Sequence, residues 1–253
     1  MSMRSLKKRE KVNEILKFLD PTINKKCLEI GCDKGVTSFF LRERGGDWSS
    51  ADTDQQNVKD TEAIVGKDVF LINPVNLPFD SSSFDFIIAI DFLEHISQEE
   101  AFLKDVYRIL RPKGKLYITV PNADNKKLSI RALRESMSIY YGHVKEGYSL
   151  TELQEMLHKA GFTMSRAKTF CRFFTQGIEL LINFTYVFIL NKNKASSPDK
   201  WLASPASPQD FKKHRFSFMA YSLIFPLLWL FSRLDKLIWF TDGYVQIVEA
   251  EKL

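Results

Sequence analysis

The chain has 253 residues, 45% hydrophobic and 26% charged, with a formal net charge of +5. That length holds one elaborated α/β domain with a full core, and the mildly basic balance suits an anionic surface or acidic substrate as well as an ordinary solvated exterior. Three scattered cysteines, Cys27, Cys32 and Cys171, exclude a disulfide framework and a zinc site, and the charged start MSMRSLKKREKVNEILKFLD lacks the apolar core of a signal peptide, so a reducing, cytoplasmic setting is expected.

Apolar residues at 12, 15, 16 and 19 give Leu6 to Leu19 helical spacing, and Pro21 ends the helix. Cys27, Leu28 and Ile30 predict a short buried parallel strand that stops at Gly31. Gly35 follows four residues later, and Val36 to Arg44 reads as a helix. Strand, glycine turn and helix in that order suit a backbone that approaches a ligand closely at a helix's positive end. The same pattern also serves simply to pack a helix on a strand. Gly45-Gly46 then breaks the chain, and Trp48 to Ala51 forms a second strand closed by Asp52. An acid about 20 residues beyond the glycines is where a ribose is commonly gripped, so a nucleoside-containing cofactor is expected. Asp52 can alternatively be a turn acid with Thr53 and Asp54. The dinucleotide fingerprint G-x-G-x-x-G is missing, because Asp33 and Val36 occupy its second and third glycine positions.

Gln55 to Val65 reads as a helix, and Val69 to Ile72 as a short buried strand ending at Asn73-Pro74. Phe84 to Ile90 is a strongly apolar strand ending at Asp91. Ser97 and Glu100 form a capping box with Ser97 as N-cap, opening a helix that presents Phe102, Leu103, Val106 and Ile109. Lys115 to Val120 is a fifth strand. Asn125 to Tyr141, basic and then aromatic, suggests an acceptor-side helix or lid. Ser149 and Glu152 make a second capping box for a helix ending at Gly161, Phe162 to Phe174 is a strand, and Gly243 to Ala250 is the last one. Strands alternating with helices imply a parallel sheet with right-handed crossovers and helices on both faces. Ligands in such sheets sit at the carboxyl ends of the strands, where Gly31, Asp52, Asn73 and Asp91 fall.

Four motifs in order, LEIGC-x-x-G, LPF-x-x-x-x-FD, LEH and LRP-x-G, resemble the class I S-adenosylmethionine-dependent methyltransferases, in particular their small-molecule and lipid-precursor branch. The resemblance spans roughly Val12 to Phe162. It implies a Rossmann-like, seven-stranded, mostly parallel sheet with the last strand antiparallel, and S-adenosylmethionine as cofactor. It also implies that Glu29 organises the glycine turn, that Gly31 and Gly35 lie beside the aminoacyl end, and that Asp52 holds the ribose hydroxyls. Cys32, Asp33, Thr53, Asn73, Pro74 and Asp91 complete the implied cofactor-binding set. Two departures stand out: Asp33 occupies a position that is usually glycine, and Asn73 one that is usually aspartate. His95 in LEHI and His143 in YYGHVKEGYS are the candidate catalytic residues, since histidine suits removal of a hydroxyl proton. His95 can equally cap the next helix. By the same resemblance His143 faces the acceptor together with Tyr140, Tyr141 and Tyr148. No metal is implied.

In the simplest members of that family a short hairpin joins the last two strands. Here an apolar stretch, 175–240, intervenes, leaving 1–174 and 241–253 as the methyltransferase domain. Gly177 to Leu190 is apolar all round, and Phe216 to Ser232 is uncharged but contains Pro226; a Pro/Ser-rich linker and the basic FKKHR lie between them. A spanning helix needs about 20 apolar residues, and Glu179 would cost about 2.5–3.5 kcal/mol at a bilayer centre. A helical insertion resting in one leaflet, with the basic cluster at anionic headgroups, is therefore expected on the cytoplasmic face of a membrane. The alternatives are packing on the domain or a homodimer interface. The activity expected is methyl transfer to a small, lipid-linked or amphiphilic acceptor. A non-catalytic, cofactor-binding scaffold protein is the competing reading. A nicotinamide oxidoreductase is disfavoured by the missing glycine, and nucleic-acid modification by AIDFLEH, which lacks an N-P-P-Y-like motif.

Overall fold

In a computed structural model, residues 6–124, 144–178, 215–238 and 241–253 are described. The strands are β1 (Lys26–Ile30), β2 (Asp47–Asp52), β3 (Val69–Leu71), β4 (Phe84–Ile90), β5 (Leu110–Pro121), β6 (Phe162–Phe170) and β7 (Val245–Lys252). The helices are α1 (Leu6–Phe18), α2 (Val36–Glu43), α3 (Gln55–Val65), α4 (Glu99–Ile109), α5 (Leu150–Lys159) and α6 (Arg215–Ser232). The strands form one seven-stranded sheet in the order β3-β2-β1-β4-β5-β7-β6, with β7 antiparallel to both of its neighbours and the other pairings parallel. The expected doubly layered α/β class is what the chain adopts. The order reverses between β1 and β4, the switch point at which such sheets open a crevice.

Side-chain alternation explains why the central strands read as continuous apolar runs. Leu28, Ile30, Ile87, Ala89, Leu116, Ile118 and Val120 join Phe102, Leu103, Val106 and Ile109 of α4 and Leu153 and Leu157 of α5 in one core. The intervening residues Cys27, Glu29, Ile88, Tyr117 and Thr119 are also buried, as a sheet covered on both faces requires. The LPF motif is stapled to α4: Arg108 donates to the carbonyls of Phe79 (2.7 Å) and Leu77 (3.1 Å) while paired with Asp105. Phe79 packs edge-on between Phe70 and Phe84.

Four expectations are corrected. The third strand is not buried: β3 is a sheet edge, with Phe70 37% and Leu71 49% exposed. Ser97 is not an N-cap, because α4 opens one residue later behind Gln98, which makes no side-chain cap, and Glu99 instead engages the Tyr148 hydroxyl. The fifth strand begins at Leu110 rather than Lys115, since its register with β4 jumps from Phe84↔Leu110 to Phe86↔Lys115 and accommodates the Arg111–Gly114 bulge inside the strand. The sixth ends at Phe170, and 173–178 is helical because Asp235 accepts from the N–H groups of Phe174 and Thr175 at its start. The expectations for 125–143 and 179–214, including His143, Tyr140 and Tyr141, lie outside the described residues. Among the described residues no helix is long and apolar enough to cross a membrane.

The chain divides into two compact units, Val12–Phe170 with Tyr244–Leu253, and Met1–Lys11 with Cys171–Gly243. In the larger unit, Glu249 of β7 is buried among donors: Lys115 Nζ (3.0 Å), Arg166 Nε (2.8 Å) and Ser165 Oγ (2.9 Å). Asp20 bridges the same two cations from beyond α1, at 2.5 and 2.9 Å. Removing the charge of a buried partner strands the others. Glu249→Gln should therefore lower the unfolding free energy by about 2–3 kcal/mol in urea titrations, the cations' partial exposure keeping the loss below that of a fully buried pair.

Candidate functional site at the carboxyl edge of the sheet

The turn after β1 is built from glycines because it has no room for side chains. At Gly31, φ is +85° and an added Cβ would stand 2.4 Å from the Ile90 carbonyl oxygen at the end of β4. At Gly35, φ is +73° and a Cβ would meet Thr61 Cα at 2.8 Å. Asp33, where a glycine was the expected residue, adopts φ +48°, a left-handed conformation that aspartate tolerates better than most.

This turn is tied to β2 and α3. The N–H groups of Gly31 and Cys32 donate to Ala51 O (2.9 and 3.3 Å), and Asp33 N donates to Asp52 Oδ2 (3.1 Å). Asp52 is 6% exposed, and its Oδ1 accepts from Asp54 N (3.0 Å) and Asn57 Nδ2 (3.3 Å). One turn further along α3, Thr61 Oγ1 lies 3.1 Å from Asp33 O and 3.4 Å from Cys32 Sγ. The Cys32 side chain thus points inward, and burial pushes its thiol up to about 12. Asn57 and Thr61, four residues apart and so on one face of the helix, were not foreseen as site residues; a polar i, i+4 pair in an otherwise weak helix was the signal.

Beneath the turn, Glu29 is fully buried. Its Oε2 accepts from Ser50 Oγ (2.8 Å), which also receives Arg42 Nη1 (2.9 Å), and Arg42 Nη2 donates to Trp48 O (2.9 Å). Glu29 Oε1 and Ser38 Oγ make no well-formed hydrogen bond, though Ser38 lies near enough to favour the ionised carboxylate. Burial nonetheless dominates and raises the Glu29 carboxyl to about 7, against the pull of Ser38, Ser50 and Arg42.

The other expected residues lie along the same edge. Asp91 has φ +45°, and its N–H donates to Thr119 O (2.9 Å), with Thr119 Oγ1 3.2 Å from its Oδ1. Thr53 is exposed after β2. Asn73 and Pro74 begin a turn in which Asn73 Oδ1 accepts from Val75 N (3.1 Å) and Asn73 O from Asn76 N (3.1 Å). His95 is exposed on a 3-10 turn, Leu93–His95, directly after β4. Tyr148 does not face an acceptor: it is fully buried, with its hydroxyl proton shared between Leu93 O (3.0 Å) and Glu99. Burial and Glu99 hold that phenol far above its ordinary range. Glu94, 1% exposed, was also unforeseen; its carbonyl accepts from Val144 N (2.8 Å) and Lys145 N (3.2 Å), which lie fifty residues away in sequence.

A cleft of about 730 Å³ opens at the opposite, amino-terminal edge, among Lys25, Lys26, Asp47, Asp85 and Arg111. There Asp85 Oδ2 accepts from Lys26 N (2.8 Å) and Arg111 Nη1 (2.7 Å).

Comparison with known proteins gives the family and the fold. A family model described as a methyltransferase domain matches residues 3–166. The ubiquinone biosynthesis O-methyltransferase of Parvibaculum lavamentivorans is 33% identical over 100 residues, 38% of this chain and 40% of that one. The O-methyltransferase resE of Aspergillus sclerotiorum is 27% identical over 143 residues, 53% of each chain. The aligned region thus spans from 40% to 53% of the length of these curated relatives. Among solved structures, phosphoethanolamine N-methyltransferase 2 of Haemonchus contortus, in complex with S-adenosyl-L-methionine, superposes with a TM-score of 0.61 at 18% identity, covering 96% of this chain and 52% of that one. A S-adenosylmethionine-dependent methyltransferase from Mesorhizobium loti gives 0.60 at 13%, covering 95% and 96%. At these identities the structures speak for the fold.

The buried acid under the turn has a measurable signature. Glu29 ionises near 4.5 when unfolded and near 7 when folded, so between those values the native state holds a proton that the unfolded chain has lost. Its contribution to stability is therefore full below 4.5 and falls as pH rises through 7, by about 3 kcal/mol. Glu29→Gln should abolish that slope, so that urea titrations at about pH 5 and about pH 8 differ less for the variant than for the unaltered protein.

Proposed function

Because the chain belongs to the methyltransferase domain family, we propose that it transfers the methyl group of S-adenosylmethionine to an oxygen of a small, amphiphilic or lipid-linked acceptor. The observation that carries this reading is the Gly31–Gly35 turn closed by Asp52: a backbone without Cβ atoms beside a nearly buried carboxylate, at the topological switch point. These residues fit the cofactor. Glycines at 31 and 35 leave the backbone bare on the approach, and a carboxylate has about four acceptor positions, of which Asp33, Asp54 and Asn57 use three. When bound, S-adenosylmethionine supplies an electrophilic methyl on a sulfonium.

The chain's own work is then binding, orientation and movement of one proton. Asp52 receives a ribose hydroxyl, with Asp33 and Thr53 flanking it. Glu29 acts through Ser50 and Arg42, positioning the end of β1 under the turn. Asn73 and Pro74 border the adenine end, and Asp91, beside Gly31, borders the methionine end. His95 takes the acceptor's hydroxyl proton as the methyl arrives, and His143 assists from the acceptor side. Its exposed place directly after β4 supports the role of His95. Bringing acceptor oxygen and sulfonium methyl into line supplies most of the acceleration. The naming of several relatives as O-methyltransferases supports oxygen as the atom methylated. The methyltransferase domain takes in 1–174 and 241–253, and the apolar insertion 175–240 brings the enzyme to a membrane surface where amphiphilic acceptors gather. A second reading, a membrane-associated protein that binds the cofactor without turnover, is favoured by one observation: Asp33 and Asn73 stand where the resembled pattern carries glycine and aspartate.

Two measurements separate these readings. Asp52→Asn should weaken S-adenosylmethionine binding by roughly 10- to 100-fold in calorimetry, the worth of a charge-assisted hydrogen bond; unchanged affinity would remove Asp52 from the site. With labelled cofactor and a panel of phenolic and hydroxylated amphiphiles, the unaltered protein should label an acceptor, and His95→Gln should lower kcat by roughly 100-fold at unchanged cofactor affinity. Cofactor binding without any labelled product would favour the second reading.

A further inference from the structure

We propose that one stripe of α6 docks on an anionic lipid surface, and that the first turns of α1 supply part of the cationic belt that seats it among the headgroups. This rests on the membrane reading of 175–240 and extends it to a segment far away in sequence.

Within the smaller unit, Glu10 binds α1 to the segment that follows β6. Glu10 Oε1 accepts from Cys171 N (3.1 Å) and Oε2 from Thr175 Oγ1 (2.8 Å). Asp235, 4% exposed, accepts from Phe174 N (2.7 Å) and Thr175 N (3.1 Å). Both carboxylates accept from residues 171–175; the first turns of α1 carry Lys7, Lys8, Arg9 and Lys11, and the end of α6 is followed by Arg233 and Lys236.

Phe225, Trp229 and Arg233 recur at four-residue spacing, so they lie along one line of α6 and the turn that continues it. The Arg9 guanidinium stands 5.9 Å from the Phe225 ring and 5.0 Å from that of Trp229, and the Arg233 guanidinium 4.9 Å from the Trp229 ring. This line joins α6 to α1. The neighbouring stripe is open: Leu223, Leu227, Leu230 and Phe231 follow helical spacing and are 80%, 59%, 61% and 58% exposed. So much contiguous large apolar surface marks a docking face.

Charge decides the occupant. A second copy of this chain would bring like cations against each other, whereas an anionic lipid surface neutralises them. The helix has 18 residues with Pro226 inside it and does not qualify as a span, which suits a helix lying in the interfacial plane. Tryptophan with arginine beside it is suited to headgroup depth, where the ring is half wet and the guanidinium reaches outward.

The test uses the full chain and co-sedimentation with vesicles of phosphatidylcholine alone or of mixed phosphatidylcholine and phosphatidylglycerol. The unaltered protein should pellet with the mixed vesicles and be released by salt. Leu223→Ser with Leu227→Ser, both at exposed positions, should abolish pelleting. Arg233→Ala and Lys236→Ala should each weaken binding to mixed vesicles roughly fivefold, with S-adenosylmethionine affinity unchanged as the check on folding. The salt response of the unaltered protein decides the matter should a variant misfold. Equal, salt-insensitive binding to both vesicle types would overturn the cationic belt while leaving the membrane reading standing. No binding, together with a dimer in sedimentation velocity that the double leucine variant dissociates, would overturn both and make a second copy the occupant. No binding by a monomer would overturn both as well.

Discussion

At position 31 there is no space for even a methyl group, and most of the site follows from that restriction. β1 leaves the sheet so close to the end of β4 that any Cβ would collide with the Ile90 carbonyl, and only a backbone free to take a positive φ makes the turn. Because the turn is tight, Gly31 and Cys32 can bond back to Ala51 and Asp33 can reach Asp52, so three consecutive residues are pinned to β2. Because they are pinned, α2 starts where it does, behind Gly35, with no side-chain cap on its first turn.

Carboxylates with little access to water recur through the structure, and each is placed where something must be held still. Glu29 lies under the glycine turn, Asp52 closes it, Glu249 ties β5 to β6 through cations from both, and Asp235 caps the helical turn after β6. The donors differ: Glu249 faces two cations, whereas Glu29 has the Ser50 and Ser38 hydroxyls and a more distant arginine, over which burial prevails and holds its carboxyl up near 7.

Much of this was readable beforehand, for a physical reason. Elements whose pattern is local, such as FDFIIAI as β4, Gln55 to Val65 as α3, or the serine that caps α5 by accepting from Glu152 N, were legible because a few neighbouring residues decide them. The misreadings arose where a distant partner decides. Val69–Leu71 looks like a buried strand, yet nothing in that stretch says that it is last in line. Tyr148 looks like a pocket tyrosine until Glu99 and Leu93 are folded beside it. Ser97 and Glu100 fit a capping formula, but Glu99 is drawn toward that same tyrosine and the helix opens a residue late. The supports of the site, Arg42, Asn57 and Thr61, carry no motif and became visible only through their bonds.

The placement of β7 has a bearing on how the chain is made. This strand comes from the last residues of the sequence, yet it sits between β5 and β6 and pairs with both. During synthesis the sheet therefore waits until residues 245–252 have emerged. Until then β5 keeps a bare hydrogen-bonding edge while the greasiest third of the chain has already emerged, and pairing across so long a loop is intrinsically slow. We expect the nascent chain to be a strong client of chaperones until β7 is made and seated between its two neighbours.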